Sequence, residues 1–377
     1  MRMEIILSIA IIVVLLTSVI VLALRGSERL TGKTPVGIWT FVAILFTSGL
    51  DVGLVMFPLT EFPIYATEAP YQFAKPIAIA FGFWGFLIWI FYFLTTFYFC
   101  AIEPRLKLFE IPAVKFLNNI VIIGTCAFTG FLFLSYLPSY IVGISPSLKY
   151  GLVAAVILFA VLSSTDVRYV KVLSIASTWL FFTLIAFMFF TSDATVVDVG
   201  VVALNISDYF KKLHYFVLPV SQYHAFYLFW WFSWSIMIGQ FVARFVGDLS
   251  VWQLLAALLI FPSIPIATWF SVLYFYHENN LVLAGYQTVA MVTVGIIFVI
   301  NSLDSLTRLY TDNLNLTVSS LGLRKYIALH WSLIFGLVIL YQFTPLKIEW
   351  IGLLVIALYV VIYVLVFRKR SQLTETV

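Results

Sequence analysis

Few residues in this sequence are placed to do chemistry: three carboxylates near apolar runs, and two groups of tryptophans. Asp51 lies in Ser48-Gly49-Leu50-Asp51-Val52-Gly53, inside an apolar segment, where a charge at a bilayer centre costs about 2.5–3.5 kcal/mol on insertion scales. The two glycines predict loosened backbone whose carbonyls could turn toward an ion; the plainer reading is an aspartate hydrogen-bonded within a helix bundle. Glu61, between Pro58 and Pro63, reads as a solvated or capping residue just past a helix end. Asp304, in Asn301-Ser302-Leu303-Asp304-Ser305, closes an apolar run with oxygen ligands that would suit Na⁺, or simply ends the helix.

Tryptophan and tyrosine normally gather at the two membrane interfaces, yet here they stand inside apolar runs. Trp84, Trp89 and Tyr92 form one group; Trp230, Trp231 and Trp234 form another. On a continuous helix Trp84 and Trp89 would point about 140° apart, while Trp89 and Tyr92 would share a face. Aromatic faces in a dry cavity attract a cation, and a quaternary ammonium, which cannot donate a hydrogen bond, is the natural occupant. The competing reading is that bulky rings fill a large bundle.

The elements that position these residues follow from composition. The chain has 377 residues, 63% hydrophobic and 10% charged, with a mean hydropathy of +1.08; a soluble domain carries about 25% charge. A soluble domain, a disulfide scaffold and a disordered chain are excluded. A spanning helix needs about 20 apolar residues, which predicts about eleven spans: 4–24, 37–58, 77–100, 116–137, 149–164, 172–191, 223–246, 251–275, 283–303, 326–343 and 348–368. The first run continues into Arg25, Arg29 and Lys33 and reads as a span rather than a cleaved leader. One alternating set of connections (25–36, 101–115, 165–171, 244–250, 304–325 and 368–377) holds most of the 21 Lys and Arg residues. That places the C-terminus in the cytoplasm and the N-terminus outside. It also accounts for a net charge of +4 without a nucleic acid partner. Residues 192–222 form the longest exterior connection, and Val199 to Val217, with Asp208, Lys211, Lys212 and His214, reads as a helix on the membrane surface. It separates two blocks of five spans, 37–191 and 223–368. Five is odd, so the blocks run in opposite senses, as in the inverted repeats of transporters. Residues 1–36 are an extra helix and linker; 369–377 are a short tail. Cys100 and Cys126 read as free thiols. The four histidines make no metal-ligand pair, and there is no Gly-rich phosphate loop.

With these residues in view, the chain resembles the betaine/choline/carnitine transporters. Their helix WWxxWxxxxGxFxAR is matched by Trp230, Trp231, Trp234, Gly239, Phe241, Ala243 and Arg244. WGxxxWxxY is matched by Trp84, Gly85, Trp89 and Tyr92. GxGxGLxxxxxxE is matched in part by Gly49, Gly53, Leu54 and Glu61, and FxxTSxDS by Phe298, Ser302, Asp304 and Ser305. The resemblance implies a leucine-transporter-like fold of two inverted five-helix repeats, with substrate at the midplane, and trimers whose contacts involve the surface helix. It implies that Trp84, Trp89, Tyr92 and Trp231 box a trimethylammonium group while Trp230 and Trp234 line the path to the cytoplasm. A Na⁺ ion would fall to the backbone of Thr47 and Leu50, the carbonyl of Phe298, and the side chains of Asn301 and Ser302. Thr125 and Thr129 could serve a second ion. The departures are Asp51 in place of the middle glycine, which favours choline over betaine or carries a proton; Asn301 in place of threonine; and no counterpart for the family's first helix or its long charged tails.

The reading that results is an all-α polytopic plasma-membrane protein, a secondary transporter of a quaternary ammonium or related onium solute coupled to Na⁺ or H⁺. It is not an enzyme, and it needs no cofactor beyond a possible Na⁺. The alternatives are transport of another zwitterion or amino acid on the same fold, and a membrane sensor that binds its solute without moving it.

Overall fold

The computed structural model describes residues 2–48 and 52–374, so Leu50 and Asp51 lie outside the described residues. In lipid every backbone N–H and C=O needs a partner within its own segment, so the apolar runs fold as helices. Among the described residues ten stretches are long and apolar enough to cross a membrane; the chain is an all-α polytopic membrane protein. The first part of the chain contains α1 (Arg2–Arg25), α2 (Ile38–Ser48), α3 (Val52–Met56), α4 (Pro58–Thr67), α5 (Pro76–Trp84), α6 (Trp89–Ala101), the short α7 (Glu103–Leu106), α8 (Pro112–Tyr140), α9 (Pro146–Ser163) and α10 (Val167–Phe190). Then come α11 (Val196–Leu204), α12 (Ser207–Lys211) and α13 (Leu213–Phe216), followed by α14 (Gln222–Val242), α15 (Val251–Ile260), α16 (Ser263–Glu278), α17 (Gly285–Leu314), α18 (Val318–Leu321), α19 (Leu323–Phe343), α20 (Ile348–Arg368) and α21 (Ser371–Thr374).

Local sequence sets many of the ends. Proline opens α5, α8 and α9, where its missing N–H is not needed. Ser145, Asp166, Thr195, Ser221 and Ser250 cap the helices they precede, each accepting an otherwise orphaned N–H. The differences from expectation are specific. Of the second expected span, α2 and α3 are described and residues 49–51 are outside the described residues. The third is broken between α5 and α6, and the eighth between α15 and α16. The ninth does not end near Asp304 but continues to Leu314. The surface helix is three short pieces, of which α11 packs on α16 and α12 on α5.

The core is organised around two helices. α14 is apolar on every side and buried from Tyr227 to Gly239, as expected of a helix with no lipid-facing stripe; it packs on α6 and α20. α17 packs on α8, α9, α10 and α3. In contrast, α1 exposes Ile5, Ile9, Leu16 and Val19, the surface lipid would cover.

One face gathers the basic connections. The linker after α1 forms β1 (Arg29–Leu30), antiparallel to β2 (Leu249–Ser250). The pairing extends through Gly32 N–H to the Val246 carbonyl (2.8 Å), Thr34 N–H to that of Arg244 (2.8 Å) and Val36 N–H to that of Phe245 (3.2 Å). A Cβ at Gly32 would lie 2.1 Å from the Ala243 oxygen, so the close approach requires glycine. Arg29 clasps Asp248 at 3.0 and 2.5 Å, and Arg105 donates to the Leu373 carbonyl at 3.2 Å. Residues 26–36, 103–111, 243–250 and the C-terminal α21 therefore share a side.

Candidate functional site

α5 stops at Trp84 because Gly85 is extended (φ −117°, ψ 169°) and Phe86 takes a left-handed conformation at φ 50°, a strain of about 1–3 kcal/mol for a non-glycine residue. The break separates Trp84, the last residue of α5, from Trp89, the first of α6, so the continuous-helix angle between them does not apply. Irregular backbone at this depth is tolerated only where the protein satisfies it, and four separate groups do so. Ser263 Oγ accepts the Phe86 N–H (3.0 Å) and the Tyr209 hydroxyl accepts that of Leu87 (3.2 Å). The Phe83 carbonyl accepts from Trp231 Nε1 at 2.6 Å, and the Trp84 carbonyl from Trp89 Nε1 at 3.3 Å.

Two indoles are thus fixed by the broken helix they surround, and the rings converge. Trp84 meets Trp231 edge-on at 5.1 Å and Trp230 at 5.4 Å. Trp230 and Trp231 stack at 5.1 Å, Trp89 meets Tyr92 at 5.1 Å, and Tyr92 reaches Trp231 at 6.4 Å. The four expected box residues therefore form one buried cluster, and Trp230, expected on the path to the cytoplasm, packs into the same cluster. Trp234 stands apart from it: with Ser302 and Leu306 it lines a narrow gap between α14 and α17. Among the described residues the indole N–H groups of Trp84, Trp230 and Trp234 have no acceptor. Each such buried donor costs about 1–3 kcal/mol and points to a ligand that accepts hydrogen bonds.

The expected cation ligands lie beyond Trp234. Phe298, Asn301 and Ser302 are buried on α17, and Ser302 Oγ has no partner among the described residues. Asn301 Oδ1 accepts from Ser174 Oγ at 3.5 Å. α17 meets α3 so closely that a Cβ on Gly295 would lie 3.1 Å from Met56 Sδ. Thr47 lies in α2, which also packs on α17; Leu50 and Asp51 are outside the described residues. Thr125 and Thr129 are buried one turn apart on α8, with Thr129 Oγ1 donating to the Thr125 carbonyl at 3.3 Å.

Two carboxylates depart from expectation. Glu61 is neither solvated nor a cap. It is 1% exposed and accepts hydrogen bonds from Tyr65 (2.9 Å), Tyr227 (2.6 Å) and Tyr223. Asp304 does not end a helix; it is fully buried and paired with Arg308 at 3.0 Å. The signals were present as i, i+4 spacings: Glu61 with Tyr65, Tyr223 with Tyr227, and Asp304 with Arg308.

On the basic face a cavity of about 500 Å³ is lined by Lys33, Glu103, Lys115, Gln240, Arg244 and Asn313, among others. Glu103 helps build its wall, accepting from the Tyr98 hydroxyl (2.6 Å) and the Leu108 and Phe109 N–H groups (3.0 and 2.9 Å). Burial pushes its carboxyl above the ordinary range, and these hydrogen bonds oppose that rise.

The fold and the site define a membrane protein built of spanning helices around a buried aromatic cluster at a helix break. Residues 119–276 match the family model described as BCCT, betaine/carnitine/choline family transporter, which bears out the resemblance read from the motifs; the Trp230 helix lies inside that segment and the other three motifs outside it. A glycine betaine transporter of Acinetobacter baylyi is 23% identical over 266 residues, in an alignment covering 59% of this chain and 40% of the relative. The chain thus spans about two fifths of that relative's length. A Na⁺-coupled sialic acid symporter, solved in a substrate-bound outward-open state, is 13% identical with a TM-score of 0.45, covering 96% of this chain and 83% of that one. A score that low adds nothing to the assignment.

Proposed function

We propose that this chain is a secondary active transporter of a quaternary ammonium or related onium solute, of the choline, betaine or carnitine type, coupled to Na⁺ or H⁺. The observation that carries the reading is the convergence of Trp84, Trp89, Tyr92, Trp230 and Trp231 in one buried cluster whose Trp84 and Trp230 N–H groups lack an acceptor among the described residues. Ring faces would hold the cationic head within about 6 Å of their centroids, and the two donors would take an oxygen of the solute. The rings touch one another at 5.1–6.4 Å, so the solute enters by parting them; the α5–α6 break, with Gly85 and Phe86, is the natural hinge. Trp234 and the α17 gap lead toward the basic cavity, which the charge distribution assigns to the cytoplasm. Residues 37–191 and 223–368 would be the inverted repeats that rock about the box, with Na⁺ at Thr47, Leu50, Phe298, Asn301 and Ser302. Trimer contacts would fall on 199–217. The family match over 119–276 and the named activity of the A. baylyi relative support this reading.

The test is uptake of labelled choline and betaine into proteoliposomes under an inward Na⁺ gradient, an inward H⁺ gradient, or neither. Trp231→Leu and Trp89→Leu should each raise the half-saturation concentration about two- to thirtyfold, the equivalent of one cation–π contact. Unchanged kinetics in both would remove the box. Asp51→Gly should shift preference from choline toward betaine; an unchanged ratio would remove Asp51 from selection. Saturable binding without accumulation would point to a sensor, and uptake blind to both solutes to another zwitterion.

A further inference from the structure

Glu61 and its tyrosines take no part in the box, yet they adjoin it. Tyr227, which donates to Glu61 at 2.6 Å, also lies edge-on to Trp84 at 5.7 Å and 5.7 Å from Trp230. Tyr223, one turn earlier on α14, donates to the same carboxyl and exchanges a hydrogen bond with Tyr136 of α8 at 3.2 Å. The Tyr136 ring stacks on Phe57 at 3.7 Å, and Phe57 in turn meets Trp84 and Trp230 at 6.0 Å. One carboxyl group therefore ties α4 to α14, a single side chain away from the solute cluster.

Among the described residues the titratable groups that face it are phenols: Tyr65 of α4, Tyr71 of the turn that follows, Tyr136 and Tyr140 of α8, and Tyr223 and Tyr227 of α14. His224 of α14 is turned away, stacked on Phe83 with its Nδ1 accepting from the Val220 N–H. His277 of α16 lies against the Phe62 and Tyr274 rings. Among the described residues no Lys or Arg pairs with Glu61. A buried carboxylate without a counter-ion is costly even when hydrogen-bonded, and taking up a proton removes that cost. Phenol hydroxyls both donate and accept, so the same three groups serve both states: all donate to the carboxylate, and one turns to accept from the carboxylic acid.

We propose that Glu61 is a proton-binding site linked to the solute box, holding a proton when the box is empty of cation and releasing it when an onium cation binds beside Tyr227. The onium cation is attracted to the carboxylate and not to the neutral acid, so solute and proton weaken each other's binding by the same factor. The inference rests on the onium reading of the box and sharpens it: the proton moves counter to the solute.

The test uses the purified full chain in detergent. Infrared spectra between about pH 5 and pH 9 should show a protonated-carboxyl band that titrates in the wild type and is missing in Glu61→Gln. Tyr227→Phe keeps the ring but removes one donor to the charged form, and should move that titration to higher pH. Choline binding should tighten about tenfold as pH rises through the titration, with a proton released to a pH dye on binding, and Glu61→Gln should bind choline independently of pH. A wild-type spectrum with no titrating Glu61 band, or choline affinity that ignores pH while the band titrates, would overturn the proposal. If the wild type binds no onium solute at any pH, the box reading falls, while the carboxyl band still decides the proton site.

Discussion

Arg308 divides its guanidinium between Asp304, one turn back on α17, and the carbonyl oxygens of Ser163 and Asp166 at the α9–α10 turn, the latter at 2.7 Å. Truncating one member of such a pair exposes the other's burial. Arg308→Ala strands a fully buried carboxylate and should cost about 3–5 kcal/mol, whereas Asp304→Asn leaves Arg308 with two backbone acceptors and should cost clearly less. Thermal unfolding of both variants in detergent checks this; equal losses would mean the ion pair, not the backbone bonds, holds the turn. The same contrast explains what the sequence could reveal. A carboxylate in an apolar run is visible as a type, and a partner one turn away, such as Arg308 for Asp304, is visible by its spacing, but a partner distant in sequence is not. Glu61 reads as exposed because Tyr223 and Tyr227 lie far along the chain, and only folding brings them to it.

The contact of α6 with α14 depends on Gly239, where a Cβ would stand 2.3 Å from Thr95 Oγ1 and 2.7 Å from the Thr95 backbone carbon. Thr95 Oγ1 in turn donates to the Ser235 carbonyl at 2.7 Å, so the two helices are joined as well as close. Gly239→Ala should therefore destabilise by about 1–3 kcal/mol through overpacking, seen as a lower unfolding temperature; no change would mean that α6 shifts freely. The spans themselves were legible because lipid leaves the apolar chain one choice, the helix. The breaks were not. Gly49 and Gly53 suggested loosened backbone, but Gly49 lies outside the described residues and Gly53 is helical in α3, while the observed break at Gly85–Phe86 is held by Ser263, Tyr209 and Trp231. None of these is near in sequence, so no local propensity announces it.

Across the whole molecule, the strap of β1 on β2 binds the linker after α1 to the loop that follows the tryptophan helix. The Arg29 guanidinium holds the exposed Asp248 carboxyl below its ordinary value by hydrogen bonding. A lowered carboxyl stabilises the fold above the unfolded-state pKa, and that contribution is lost as pH falls through the folded-state value, which here means below about pH 4. Hydrogen exchange at the Gly32 and Thr34 amides should accelerate, relative to intrinsic rates, between pH 6 and pH 3, and Asp248→Asn should abolish the difference; equal protection at both pH values would show that the strap stands without the ion pair.

The break between α5 and α6 also bears on biogenesis. Residues 76–101 leave the ribosome long before Trp231 exists, and until α14 is made the Phe83 carbonyl has no indole to accept from. In the bilayer that nascent segment is most stable as one unbroken helix, with Gly85 costing only about 1 kcal/mol. The bend that seats Trp84 against Trp231 is therefore a late product of maturation, acquired when the second half of the chain arrives, and a chain released early carries a straight helix in its place.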